Sequence, residues 1–192
     1  MKRAFRNIAT GVLAAVSTVS LGGAALAQQS SVFIDQIGSG NTFRVDAADG
    51  TYGTQDAPLL QDGDGNTAQI TTTDGTSGAA VLAPGEAAAL DTLVDPGLSQ
   101  IGNGNSAAIN LSADEAQGSI LQNGDFNDAT LNVTTANSSG LIEQNGSNNL
   151  ADVTVQSFAN SSVTVRQNGS NLSTNGASVF TTAPSVTIIQ TR

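Results

Sequence analysis

The sequence of 192 residues contains no cysteine, no histidine and no tryptophan. Without cysteine, the chain can form neither a disulfide framework nor a thiolate nucleophile. Without histidine, it lacks the side chain that most often acts as a general base near neutral pH or as a metal ligand. Chemistry carried by paired carboxylates alone, as in glycoside hydrolysis, is still compatible with the composition. We therefore expect a protein that is not an enzyme and that binds no cofactor or metal.

Basic residues are also scarce, with six Lys and Arg against 16 Asp and Glu. Half of them, Lys2, Arg3 and Arg6, precede an apolar, alanine-rich run over residues 8–21. The Ala-Leu-Ala at 25–27 supplies the small residues that a signal peptidase reads. Residues 1–27 are therefore predicted to be a cleaved signal peptide. The apolar run is too short to span a bilayer in the mature chain.

Removal of this segment makes the charge of the chain more negative. Only Arg44, Arg166 and Arg192 then stand against the 16 acidic residues, so the net charge of residues 28–192 is −13. A basic patch that could displace counterions from phosphates is absent from such a sequence. Binding to nucleic acid or to an anionic membrane surface is therefore disfavoured.

A short polar motif with Gln, then Gly two residues later and Asn five residues later, recurs along the chain. Its six copies begin at Gln36, Gln61, Gln100, Gln122, Gln144 and Gln167. The intervals between them are 25, 39, 22, 22 and 23 residues, and one further step of 23 reaches Gln190, in a half-repeat. The longest interval holds a low-complexity insertion at about residues 71–97. A fixed period of this length predicts a repeat architecture.

Apolar residues alternate with polar ones on both sides of each copy. Two residues before the Gln the chain is always aliphatic, at Ile34, Leu59, Leu98, Ile120, Ile142 and Val165. Nine residues after the Gln, the first five copies are aliphatic again, at Val45, Ile70, Ile109, Leu131 and Val153. A period of two is typical of strands. Each copy is therefore interpreted as strand, turn, strand, in an all-β solenoid over residues 28–192.

Glycine and asparagine in the motif predict the turn, because both tolerate a positive φ. The turn glycines are Gly38, Gly63, Gly102, Gly124, Gly146 and Gly169.

Stacked copies also give the repeated amides a role, because identical side chains about 4.8 Å apart can bond to one another. We expect one amide ladder of Gln36, Gln61, Gln100, Gln122, Gln144, Gln167 and Gln190, and a second of Asn41, Asn66, Asn105, Asn127 and Asn149. Buried amides need such partners.

The pattern Ser-x5-Gln-x-Gly-x-x-Asn-x-Ala, seen from Ser138 to Ala151 as SSGLIEQNGSNNLA, resembles the curlin repeat of curli fimbria subunits. The resemblance covers most of residues 30–192. It implies a secreted subunit of cell-surface amyloid fibres of a Gram-negative bacterium, with cross-β assembly in the biofilm matrix. It also implies an outer-membrane secretion pore and a partner subunit, one subunit nucleating and the other polymerising. The chain is compatible with either the major or the nucleating subunit type, and its acidity favours the major type.

The sequence departs from the curlin pattern in three places. Eleven residues after the Gln, where that family usually has a second Gln, the first five copies have Ala47, Thr72, Leu111, Val133 and Val155. In the sixth copy the Asn comes one residue early, as Asn171, and Leu172 takes its place. Only residues 28–31 separate the predicted cleavage site from the first repeat, whereas the family's major subunit has a long polar leader for secretion.

The two ends of the predicted solenoid are candidates for self-association. The C-terminal half-repeat, with Val186 and Ile188, contains neither Pro nor Lys, the residues that commonly prevent an edge strand from pairing with another chain. It could pair with the first repeat, with Val32 and Ile34, of another copy. A contact of this kind does not close on itself and therefore generates a filament.

Three other functions fit parts of the sequence. Asp62-Gly63-Asp64-Gly65-Asn66 resembles the start of a calcium-binding loop but lacks the later glutamate. Asp114 with Glu115, or Asp125 with Asp128, could serve a carboxylate-based glycosidase. A solenoid that stays monomeric could act as an adhesin.

Overall fold

A computed structural model of the chain describes residues 18–21, 31–47, 51–52, 58–72, 97–156 and 161–192. All regular elements within these ranges are β-strands, and none is a helix. The described residues therefore also contain no helix that is long and apolar enough to cross a membrane.

The described ranges contain sixteen strands, numbered β1 to β16 in chain order, which form two sheets of seven strands and one of two. The first strand of each repeat belongs to one seven-stranded sheet, here called the glutamine sheet. Its members are β3 (Ile34–Ile37), β6 (Leu59–Asp62), β8 (Leu98–Ile101), β10 (Gln117–Asn123), β12 (Ser139–Asn145), β14 (Ser162–Asn168) and β16 (Ser185–Thr191).

The second strand of each repeat belongs to the other large sheet, here called the companion sheet. It comprises β1 (Thr18–Leu21), β4 (Thr42–Ala47), β7 (Thr67–Thr72), β9 (Ser106–Leu111), β11 (Asp128–Val133), β13 (Leu150–Val155) and β15 (Ser173–Val179). The chain passes from one sheet to the other at every repeat, and all pairs within the sheets are parallel. The predicted β-solenoid is confirmed.

The register of the sheets places equivalent residues of successive repeats side by side. Gln122, for example, lies opposite Gln100 on one side and Gln144 on the other. The same alignment holds at the C-terminal end, where Gln167 lies opposite Gln190. A one-residue slip would turn every apolar side chain outward, so burial of one face fixes this register.

The core lies between the two large sheets. The aliphatic residues two before and nine after each motif Gln are buried in all described copies except the first, where Ile34 is half-buried. Small Ala side chains seven residues after the Gln, at Ala68, Ala107, Ala129 and Ala151, are buried as well. Burial of apolar surface stabilises such a core more than any other term, by about 25 cal/mol for each Å² buried.

Some boundaries differ from those expected from sequence. Val32 and Ile34, which the sequence places together in the first repeat, lie in two separate short strands on either side of Phe33. Val32 belongs to β2 (Ser31–Val32), which pairs with β5 (Thr51–Tyr52). The amide of Phe33 donates to the Tyr52 carbonyl, and the Phe33 carbonyl accepts from Leu59. The expected insertion at about 71–97 falls almost wholly on residues 73–96, which lie outside the described residues; strand β7 before it ends at Thr72.

The last repeat contains a bulge in its second strand. Pairing of β15 with β13 shifts between Ala151 and Val153, so that β15 carries one extra residue at this point. Gly176 lies there with φ of 66°, which is typical of a bulge residue in the left-handed region.

The turn between the two strands of each repeat uses positive φ at two positions. The six predicted turn glycines have φ between 103° and 135°. The residue two places later is also left-handed, and it is Gly40, Gly65, Gly104, Phe126, Asn148 and Asn171 in the six copies. The motif Asn that follows is not itself left-handed, so its expected part in the bend was wrong. Its role is in hydrogen bonding, as described below.

We expect Gly124→Ala to cost more stability than Gly65→Ala. A Cβ at Gly124 would overlap the main-chain carbonyl of Gly146 on the next repeat, and its φ of 123° is open only to glycine. A Cβ at Gly65 meets nothing within 4 Å, and its φ of 67° is tolerated. Urea unfolding of residues 28–192 should show a loss of at least about 2 kcal/mol for Gly124→Ala and about 1 kcal/mol for Gly65→Ala. Equal losses would contradict the steric origin of the difference.

Candidate assembly surface

The seven motif glutamines form one continuous chain of side-chain hydrogen bonds. In each bond an Nε2 donates to the Oε1 of the next repeat, from Gln36 to Gln61 at 2.6 Å and onward to Gln167 and Gln190 at 2.8 Å. The bonds between them measure 2.7–2.9 Å. All six point in the same direction along the solenoid. The five central glutamines are fully buried, and the ladder is what satisfies them.

The second proton of each amide joins the two sheets. The Nε2 of Gln122 also donates to the carbonyl of Ser106 at 2.8 Å, at the start of the companion strand one repeat earlier. Equivalent bonds run from Gln61 to Thr42, Gln100 to Thr67, Gln144 to Asp128, Gln167 to Leu150 and Gln190 to Ser173. One side chain therefore fixes both the spacing along the stack and the separation of the sheets.

The motif asparagines also form a continuous series, but not the amide-to-amide ladder that was expected. The Oδ1 of each accepts from the backbone N–H of the equivalent residue in the next repeat, as between Asn41 and Asn66 at 2.9 Å. Each Nδ2 donates to the carbonyl of the turn glycine one repeat on, as from Asn41 to Gly63 at 2.7 Å. The single direct amide pair is Asn127 to Asn105, at 3.2 Å. Asparagine is shorter than glutamine and lies at the turn, where main-chain groups are nearer.

Leu172 replaces the asparagine in the sixth repeat and still completes this series. Its backbone N–H donates to the Oδ1 of Asn149 at 3.0 Å. The donor at this position is a backbone N–H, which any residue except proline supplies, so the irregular sixth copy continues the stack.

The C-terminal end of the solenoid exposes a cross-section of the core. Within the described residues β16 is the outermost strand of the glutamine sheet, and β15 is the outermost strand of the companion sheet. Val186 and Ile188 pack on the core but are only half-buried, as is Val179 of β15. Their counterparts in the central repeats are buried. This end therefore presents unpaired main-chain groups together with apolar side chains.

The N-terminal end differs between the two sheets. In the glutamine sheet β3 is outermost, and its Ile34 is half-buried. In the companion sheet β4 is covered by β1, which lies in the predicted signal peptide. The remainder of residues 1–27 lies outside the described residues. In a chain without residues 1–27, β4 would be the edge of this sheet, and the buried Phe43 and Val45 would lose that neighbour.

The acidic residues of the candidate calcium loop make contacts within the protein. The Oδ1 of Asp64 accepts from both the hydroxyl and the backbone N–H of Ser39, at 2.7 and 2.6 Å. Both bonds lower the pKa of Asp64, and the bond from the Ser39 hydroxyl has the larger effect. In the part of the chain that the structure describes, no three acidic side chains gather in an arrangement that could hold a metal.

The candidate carboxylate pairs sit in different surroundings. Asp114 and Glu115 lie in the exposed connection between β9 and β10. Asp125 lies in a turn, where its Oδ1 accepts from the backbone N–H of Asn103 at 2.8 Å, and Asp128 is exposed at the start of β11.

Comparison with known proteins adds no relative to this description. No protein-family model matches the chain, and neither a curated protein nor a solved structure matches it.

The ladder predicts that Gln122→Glu destabilises the fold at pH 7. A carboxylate there would place oxygens against the Oε1 of Gln144 and the carbonyl of Ser106, where Nε2 now donates. An uncompensated buried charge costs about 3–5 kcal/mol. Acidification should restore part of the stability, because a protonated carboxyl group can donate one bond again. Urea unfolding at pH 7 and pH 4 measures both effects.

The matched control is Gln69→Glu, because Gln69 is exposed and bonds only to the hydroxyl of Thr71. Its effect should stay within about 0.5 kcal/mol at both pH values. If the two variants lost equal stability at pH 7, the ladder would not be what makes Gln122 necessary.

Ser39→Ala should raise the pKa of Asp64 towards its ordinary value, because the Ser39 hydroxyl is the main cause of the lowering. With its pKa depressed in the folded state, Asp64 stabilises the fold above its unfolded pKa, and this contribution is lost as pH falls through the folded pKa. NMR titration of the Asp64 carboxyl carbon measures the change. Ser112→Ala, an exposed change elsewhere, should leave that titration unaltered.

Proposed function

We propose that the protein is a structural subunit of extracellular fibres, which grow by end-to-end stacking of solenoids. The observation that carries the proposal is the exposed core cross-section at the ends of the stack. Globular β-proteins usually blunt such edges with Pro, Lys, bulges or a covering segment. Here β16 offers half-buried Val186 and Ile188 beside a full row of main-chain donors and acceptors.

The glutamine and asparagine series support the same proposal. Each repeat is stabilised by bonds to an equivalent repeat on both sides, so an end repeat has half of its bonding surface unused. A second copy of the chain supplies a surface with the same strand spacing. The contact joins two different surfaces and leaves the next end free, which gives an open filament.

The distribution of charged residues is compatible with end-to-end assembly. On the outer face of the glutamine sheet, Arg166 and Glu143 form an ion pair at 3.0 Å between adjacent repeats. The net charge of −13 for residues 28–192 keeps separate subunits apart until short-range contacts form.

The resemblance to curlin repeats extends the proposal to a biological setting. On this reading, the fibres are curli-type fimbriae on the surface of a Gram-negative cell. They contribute to biofilm matrix, adhesion and cell aggregation. A partner subunit of the nucleating or major type and an outer-membrane secretion pore belong to the same proposal. A nucleator-type role for this chain, a monomeric adhesin and a calcium-binding surface protein are the competing functions.

Purified residues 28–192 at about 10–100 µM should form thioflavin-positive fibres, because an unblocked β-edge associates in this concentration range. X-ray patterns of aligned fibres should show strand spacing near 4.7–4.8 Å along the axis and sheet spacing near 10 Å across it. Protein that stays monomeric for days under electron microscopy would overturn the proposal and favour the adhesin.

Ile188→Asp should slow fibre elongation by at least about tenfold, because it places an unpaired charge on the exposed core. Ile189→Asn is the matched control, since Ile189 is 60% exposed on the outer face of the same strand and this change adds no charge there. It should elongate within about twofold of the parent. Seeded thioflavin kinetics measure both rates, and deletion of residues 184–192 should resemble Ile188→Asp. Equal rates for the two isoleucine variants would remove β16 from the growing surface.

A further inference from the structure

The number of strands determines how one solenoid can continue into the next. In the described part of residues 28–192, which lacks β1, the glutamine sheet has seven strands and the companion sheet has six. The total of thirteen is odd, so the stack begins and ends in the glutamine sheet. Two copies placed in the same orientation would bring β16 of one copy onto β3 of the next. That junction leaves a gap one strand wide in the companion sheet, between β15 and β4 of the next copy.

Such a gap is costly. It leaves the main-chain groups of both β15 and β4 without partners, and it opens the core beside Val179 on one side and Phe43 and Val45 on the other. Unpaired polar groups in a buried place cost about 1–3 kcal/mol each.

We propose that successive subunits in the fibre are related by a half-turn about the fibre axis, so that the two sheets exchange places at every junction. This inference rests on the proposed fibre. Strands alternate between the sheets along the stack, and the strand after β16 belongs in the companion position. With a half-turn, β3 of the next copy takes that position against β15, and its β4 lies against β16. A half-turn about the axis reverses both the side and the strand direction, so all pairs stay parallel.

The edge of β4 already accepts a strand of this kind within the chain. β1 lies on it in parallel register, with Thr18, Val19, Ser20 and Leu21 opposite Thr42, Phe43, Arg44 and Val45. The segment at β1 reads Thr-Val-Ser-Leu, and β16 begins Ser-Val-Thr-Ile at residues 185–188. Both have a hydroxyl residue, Val, a hydroxyl residue and an aliphatic residue in order. β16 of a neighbouring copy therefore matches the strand that loss of the leader removes.

The glutamine ladder does not require the same-orientation junction. Gln190 accepts from Gln167 and from the hydroxyl of Thr174, both at 2.8 Å, and donates to the carbonyl of Ser173 at 3.0 Å. Thr174 stands where most other repeats have Ala. The last glutamine is thus held within its own subunit, and the ladder can stop there.

Engineered disulfides distinguish the two junctions, since the chain has no native cysteine. With Val186 opposite Phe43, the half-turn junction places Ile189 opposite Asp46 of the next copy. The same-orientation junction, following the register of β14 with β16, places Ile189 opposite Asp35. Paired residues on adjacent strands fall within the Cα distance of a disulfide, about 4.4–6.8 Å. Residues 28–192 are therefore made with Ile189→Cys and Asp46→Cys, with Ile189→Cys and Asp35→Cys, and with Ile189→Cys alone.

After fibre growth under reducing conditions and then mild oxidation, non-reducing gels are expected to show a ladder of linked subunits for the 189–46 pair. This yield should exceed that of the 189–35 pair by at least about fivefold, and Ile189→Cys alone should give no species beyond dimers. Equal or greater linkage for 189–35, or no linkage for 189–46, in fibres of normal appearance would overturn the half-turn junction while leaving fibre formation intact. If no variant and no parent chain forms fibres, fibre formation itself is overturned, and the junction with it.

Discussion

A primary amide buried in a β-core is stable only when hydrogen-bond partners lie beside it, and the rest of this structure follows from that constraint. Each Gln amide gives one proton to the next repeat and another to the companion sheet. Any change in register would leave a buried donor or acceptor without a partner. The regular alternation of apolar residues, the aligned turn glycines and the parallel pairing all serve to keep those amides in line.

The turns show how closely the stack constrains the chain. At Gly124 a Cβ would overlap the carbonyl of Gly146, so glycine is required both by φ and by the approach of the next repeat. Two residues later the same turn tolerates Gly, Asn or even Phe, since Phe126 is left-handed and 64% exposed. Within one loop, the position that faces the neighbouring backbone is restricted, and the position that faces solvent is not.

The sequence was sufficient to predict those parts of the fold that repeat. Ile120 and Leu131 alternate with polar residues at a spacing of two, which only a strand with one buried face explains, and the fixed interval between glutamines predicts stacking. It could not predict which atoms bond. The pattern at Asn41 and Asn66 looks like that of the glutamines, yet their bonds run to main-chain groups because the side chain is one methylene shorter. Features that occur once, such as the break at Phe33, the bulge at Gly176 and the pairing of Thr18–Leu21 with β4, have no repeat to reveal them.

The glutamine ladder also gives the solenoid a direction. The ladder bonds all run from an Nε2 donor towards the C-terminal end, so the first glutamine presents an Oε1 acceptor at one tip and the last presents an Nε2 donor, which bonds the carbonyl of Ser173, at the other. Aligned amides sum their dipoles, as the peptide units of a helix do. A half-turn about the axis leaves this direction unchanged, so every subunit of a filament would carry the same polarity. The two tips would then differ chemically, and an incoming subunit would meet a different set of hydrogen-bonding groups at each of them.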